Sequence, residues 1–249
     1  MNIIACVKQV ADTEARVQIA EDGTSIDTRD INFILNPFDE FAVEEALRTR
    51  EKLGGQVTVI SLGNESAASV IRTALAMGAD HGLLLKTDLQ CDDPLQVARA
   101  LAAEITGSEF DVVFFGKQAV GNDHGQVGIL VAELIGVPGI SMVSELEVIP
   151  DGVRGKREVE GGTESFECSL PAVIATQKGL NEPRYASLKG RMAAKKKTIE
   201  EKEVNLAEPV LVVEACNYPP QRERGKILGQ GTEAVPELVR CLREEAKVI

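Results

Sequence analysis

Val112-Val113-Phe114-Phe115-Gly116-Lys117-Gln118-Ala119-Val120-Gly121-Asn122-Asp123-His124-Gly125-Gln126-Val127-Gly128 is the most informative constellation in the chain. Its four leading apolar residues read as a strand buried on both faces. A Gly-rich polar loop follows, and Gln126 to Ile135 reads as a helix. Strand, glycine loop and helix in that order form half of a parallel α/β unit. The first amides of such a helix have no partner within it, so they can receive a phosphate without any catalytic side chain. Glycines 116, 121, 125 and 128 permit close backbone approach, while Asn122 and Gln126 offer polar edges to phosphate or adenine. The spacing matches neither a Walker loop nor GxGxxG. From these residues alone, nucleotide binding and a plain strand-to-helix turn both stand.

The same texture extends outward. Ile3 to Val7, Val57 to Leu62 and Gly82 to Leu85 read as further buried strands, and Glu40 to Leu53, Ser66 to Met77 and Pro94 to Ile105 as helices. Pro94 suits a first helical turn and Gly78 a helix end. This order requires right-handed crossovers and a largely parallel sheet, with a ligand crevice at the carboxyl ends of the strands. Past Gly136, Val143 to Ile149, Val153 to Glu160 and Ser165 to Cys168 are short runs separated by Pro150-Asp151-Gly152 and Gly161-Gly162. They predict an antiparallel excursion, after which Pro171 to Thr176 rejoins the main sheet. The expected class is α/β: Rossmann-like, doubly wound and mainly parallel, with an antiparallel excursion and a carboxyl-terminal arm.

Composition narrows the function. With 27 Lys plus Arg against 39 Asp plus Glu in 249 residues, the formal charge is -12. That acidity argues against nucleic acid as a partner. Aromatic residues are scarce, with seven Phe, two Tyr and no Trp, so aliphatic side chains must fill the core. Five widely spaced cysteines and two histidines supply neither a disulfide scaffold nor the material of a Cys/His metal site. No apolar run approaches the length of a membrane span, and the amino terminus reads as a strand rather than a signal peptide, so a cytoplasmic location is expected.

The carboxyl-terminal third reads differently. Arg184 to Lys202 holds seven Lys or Arg and two Glu, a docking surface or a solvated helix. Beyond it come a predicted strand at Val210 to Val213, a turn-rich stretch from Asn217 to Gly231 and a final helix from Ala234 to Ala246. With little between them to bury, these elements are expected to lie on a partner.

A second turn, Asn36-Pro37-Phe38-Asp39, precedes a helix, where Asn36 or Asp39 suits a cap. Topology would set it near the 116 to 128 loop, so the two could sandwich one nucleotide. Cys6 reads as a small core residue, and His81 and His124 lack a nucleophile or metal cluster beside them. Glu44 and Glu45 lie on a Glu-rich helix face, which ordinarily meets solvent. No catalytic set emerges.

In combination, several segments resemble the beta subunit of electron-transfer flavoprotein: Val7-Lys8, Asn36 to Asp39 followed by Ala42 to Ala46, Ile71 to Asp80, Gly116 to Ala119, Leu180-Asn181-Glu182-Pro183-Arg184-Tyr185, Lys195 to Lys197 and Pro219 to Arg222. Each is weak alone, but their order through nearly the whole chain is specific. The resemblance implies a heterodimer with a larger alpha subunit that holds the redox FAD. It implies AMP in this chain, bound by Cys6, Asn36, Pro37, Phe38, Asp39, Leu62, Gly116, Gln118, Gly121, Asn122, Asp123, His124, Gly125, Gln126 and Val127. It also implies an adenine-nucleotide-binding domain over 1–190, an extension and arm over 191–249 packing on alpha, and a recognition loop at 176–190. In that loop Leu180 falls on the hydrophobic anchor position, an exposed leucine inserting into a dehydrogenase, with Asn181, Glu182, Pro183, Arg184 and Tyr185 beside it.

The implied activity is electron transfer from an acyl-CoA dehydrogenase or related flavoenzyme toward a membrane quinone oxidoreductase. One branch of the family instead binds a second FAD and bifurcates electrons. Gln126-Val127-Gly128 resembles that branch, whereas Gly121, Asn122 and His124 depart from its acidic, small and Thr positions. A further alternative is an adenine-nucleotide-responsive regulatory protein using the same crevice.

Overall fold

The computed structural model describes residues 1–89, 91–221 and 224–249. It forms two units, Met1–Cys216 and Asn217–Ile249. Arg222, the last residue of the Pro219 to Arg222 segment, lies outside the described residues.

In the first unit, nine strands form one sheet. In chain order they are β1 (Asn2–Cys6), β4 (Gln56–Gly63), β5 (His81–Lys86), β6 (Val112–Gly116), β7 (Gly139–Ile149), β8 (Gly152–Val159), β9 (Gly162–Ser169), β10 (Ala172–Thr176) and β11 (Ile199–Glu203). A separate antiparallel pair, β2 (Gln9–Ala11) and β3 (Phe33–Leu35), precedes the first helix. Across the sheet the order is β11-β5-β4-β1-β6-β10-β7-β8-β9. All contacts from β11 to β7 are parallel, and β7-β8-β9 is the antiparallel excursion.

Helices cover both faces, which explains the continuous apolar runs. Ile3, Val57, Val59, Val112 and Phe114 point to one side, where α1 (Pro37–Leu53) and α2 (Ala68–Met77) pack with Val43, Leu47 and Ile71. Their alternate neighbours Ile4, Ile60, Val113 and Phe115 point to the other, under α3 (Pro94–Thr106) and α4 (Val127–Ile135) with Leu101, Ile105 and Val131. Each large side chain so enclosed contributes roughly 1.5–3 kcal/mol of hydrophobic stabilisation. The order reverses at β1, which lies between β4 and β6, and a crevice opens there beyond the strand ends.

Two expectations change. The basic segment is not one solvated helix: α5 (Leu188–Lys196) packs Gly190 and Ala194 on α2, and Ile199–Glu203 extends the main sheet as its charged edge. An Ile-Glu-Glu-Lys-Glu strand carries no apolar alternation: its backbone pairs with β5, only Ile199 packs on the core, and charges suit an unpaired edge. Val210 to Val213 forms no strand. The Val210 amide instead donates to Asp93 Oδ2 at 2.7 Å, and the Gln96 side chain donates to Ala207 O, so side chains around α3 take the place of a ladder.

In the second unit, a helical run covers Thr232–Glu245, tight in its first turn and wide in its last. Arg240 pairs with Glu237, Glu244 and Glu245 at 2.7–3.0 Å. None of the run's residues is buried, and Val235 and Leu238 are half exposed.

Candidate functional site

The crevice lies where β1, β4 and β6 end, and the β5–α3 and β6–α4 connections wall it. Together they enclose about 810 Å³, counting the part open to solvent. One side is apolar, with Leu62, Pro94, Val97 and Leu101; the other is the polar loop leading into α4, with Lys8 and Lys117 nearby on the wall.

The loop is built for amide presentation. Gly121, Asp123 and Gly125 have φ of 100°, 50° and 63°, a left-handed series that turns the chain sharply before α4. Asp123 tolerates this conformation with its amide donating to Ala119 O at 3.0 Å and its carboxylate accepting from Gln118 Nε2 at 2.6 Å. The first bond inside α4 runs from Leu130 N to Gln126 O. The amides of residues 126–129 therefore have no partner within the helix, at its positive end. An anion is the natural complement of that arrangement.

The start of α1 braces the loop from behind. Asp39 Oδ2 accepts the Lys8 amide at 2.7 Å and Oδ1 the Gly116 amide at 3.1 Å. A Cβ on Gly116 would stand 2.4 Å from Asp39 Oδ1, so glycine is required for this approach. Burial pushes the Asp39 carboxyl up to about 7, although the Lys8 amide, Asn36 and the Gly116 amide pull it down. Neither residue caps the helix as expected. Asn36 occupies the cap position without a side-chain cap bond, and Asp39 lies inside the first turn facing other chain segments. Cys6 is enclosed beside them, its thiol pushed far up by burial and by Asp39, as befits a core residue.

Of the residues expected at a nucleotide, Cys6, Asp39, Leu62, Gly116, Gln118, Asn122, His124, Gly125, Gln126 and Val127 meet on the crevice wall. Asn36, Pro37 and Phe38 form the brace behind it, with the Phe38 ring 5.1 Å from the Lys117 ammonium. Gly121 and Asp123 shape the loop. Sequence reasoning missed Lys8, Cys91, Asp92, Pro94, Val97 and Leu101 as wall residues. The strand-end rule applied to β5 would have pointed to the 91–97 connection.

The family model for the electron transfer flavoprotein domain matches residues 23–207. An electron transfer flavoprotein subunit beta of Bacillus subtilis (strain 168) is 40% identical, with 100% of each chain covered. The subunit beta of Syntrophomonas wolfei subsp. wolfei is 38% identical, with 100% of this chain and 98% of that one covered. That of Mus musculus is 36% identical, with 100% and 99% covered.

The chain belongs to the electron transfer flavoprotein beta subunit family.

As an electron transfer flavoprotein beta chain, it carries its second notable segment at 180–185, and two expectations about that segment need correction. Leu180 is half-buried against the α1 face of the core, because Gly179, at φ 98°, and the Leu180 amide bond to Gln177 O fold the loop inward. Tyr185 is the exposed large hydrophobic side chain there, at 98%. The Glu-rich face of α1 does not meet solvent: Glu44 and Glu45 are buried under this loop. Asn181 Nδ2 donates to Glu45 Oε2 at 2.9 Å and to Phe41 O at 3.0 Å, and Arg184 caps Glu44 and Glu51. Glu182 is exposed and Pro183 half-buried. Among the described residues, no helix is long and apolar enough to cross a membrane.

Proposed function

We propose that this chain is the beta subunit of a heterodimeric electron-transfer flavoprotein, with AMP in its crevice and the redox FAD held mainly by a larger alpha subunit. The observation that carries the nucleotide reading is the opposition, across one crevice at the β1 reversal, of an apolar wall and the free amides of α4. The loop amides and Lys117 would hold a phosphate, while Leu62, Pro94, Val97 and Leu101 would flank adenine. AMP supplies no electron chemistry; FAD, when bound to the complex, does. This chain binds and orients, and no side chain in it needs to make or break a substrate bond.

The complex accepts electrons from an acyl-CoA dehydrogenase or related flavoenzyme and delivers them to a membrane quinone oxidoreductase. The loop at 180–185, pinned to α1, serves dehydrogenase recognition, and the unburied helical run of the second unit packs on alpha. All five cysteines are free thiols, which fits a cytoplasmic site of action. Anaerobic mixing of the purified heterodimer with an acyl-CoA dehydrogenase and its substrate tests this directly. Bleaching of the heterodimer flavin is expected, and an unchanged flavin spectrum contradicts the proposed donor.

A further inference from the structure

Asn36 is fully buried and stands behind the crevice wall. Both ends of its carboxamide are engaged across the molecule. Nδ2 donates to Gln118 O at 2.9 Å, and Oδ1 accepts from Val120 N at 3.2 Å. Its own amide donates to Lys8 O at 3.0 Å, and its carbonyl accepts from Asp39 N at 2.9 Å. One residue thus ties the end of β1, the start of α1 and the stem of the β6–α4 loop.

The local chemistry that is forgone shows what this bridge does. An asparagine at a helix cap ordinarily accepts from the second or third helical amide, a bond worth about 1 kcal/mol. Here that bond is absent, and the side chain reaches the loop instead. A local rule broken at a functional crevice, with a compensating long-range contact, marks a site-building residue. What it holds is the base of a turn containing three left-handed residues, 121, 123 and 125. Two of them are glycines, so the turn would otherwise sample many shapes.

Taking the crevice as the AMP site, we propose that Asn36 is a positioning residue for the nucleotide phosphate: it touches no ligand and fixes the 118–120 stem so that the amides entering α4 converge. The resemblance placed Asn36 among binding residues; the geometry gives it an indirect role confined to one end of the ligand. AMP and adenosine therefore separate the two roles, since only AMP uses the phosphate end.

The experiment uses the heterodimer freed of nucleotide, as parent, Asn36→Ala and Asn36→Asp. The aspartate keeps an acceptor for Val120 N and loses the donor to Gln118 O, so it serves if the alanine variant fails to assemble. Calorimetric titration with AMP and adenosine is combined with hydrogen exchange over residues 116–128. Loss of one or two such hydrogen bonds predicts about tenfold weaker AMP binding. Adenosine binding is expected to stay within about twofold, and the loop segment to exchange faster in the ligand-free variant. Equal losses for both ligands, or unchanged AMP binding, overturn the proposal while leaving the nucleotide reading intact. A parent complex that binds neither ligand overturns both.

Discussion

Arg184 closes over Glu44 from 140 positions away, with Nε 2.8 Å from Oε2 and Nη2 3.0 Å from Oε1, while its own amide adds a third bond at 3.1 Å. The same guanidinium reaches Glu51. Burial alone would raise the Glu44 carboxyl, but Arg184 and Arg48 together hold it below its usual range. Removing the fork leaves a buried carboxylate with Arg48 as its remaining cation, at 3.1 Å. Arg184→Ala is expected to cost about 2 kcal/mol, less than a fully orphaned buried charge. Because the folded Glu44 value is depressed, this stabilisation is present above the ordinary glutamate value and is lost progressively as pH falls below it, through the depressed folded value. Denaturant unfolding at pH 7 and pH 4 checks this: the parent-variant gap is expected to shrink in acid.

Asp39 has the opposite sign. Its folded carboxyl is raised to about 7 from 3.8, so its contribution to stability is fully present below the ordinary aspartate range and is lost as pH rises through about 7. Asp39→Asn should flatten that part of the stability profile between pH 4 and 8. Urea midpoints for parent and variant across that range provide the check, and parallel profiles would exclude Asp39 as the source.

Gly116→Ala tests the close approach of β6 to α1. The added Cβ would lie 2.6 Å from the Phe38 carbonyl carbon as well as against Asp39, and neither backbone nor a doubly bonded carboxylate yields easily. A loss of about 1–3 kcal/mol is expected from thermal unfolding, together with weaker AMP binding.

Leu180 and Tyr185 should part company. Leu180→Ala removes a side chain packed on the core and is expected to lower the melting temperature as well as the rate of electron transfer from the dehydrogenase. Tyr185, 98% exposed, is expected to alter stability by less than about 0.5 kcal/mol when replaced by alanine, so any change in transfer rate there reports docking. Stopped-flow reduction alongside calorimetry separates the two.

The main sheet was legible because each of its central strands is buried on both faces and so reads as an unbroken apolar run, as in Val112 to Phe115. The 116–128 loop was legible because glycines and a helix start leave a local mark. What escaped was nonlocal. β11 pairs its backbone with β5 and its charges with Lys86 and Glu104, partners far along the chain, so its sequence resembles any solvated surface. Glu44 and Glu45 looked like solvent-facing residues because their partners, Arg184 and Asn181, lie far along the chain. The Asn36 bridge escaped for the same reason: a local cap and a contact across 82 residues use the same side chain.

In the proposed heterodimer this crevice would hold a structural adenine nucleotide, while the electron-carrying flavin would belong to the alpha subunit. Quantifying the nucleotides released by denaturing the purified native heterodimer tests it most directly. One AMP and one FAD per heterodimer are predicted; two FAD, or no adenine nucleotide besides one FAD, would contradict it.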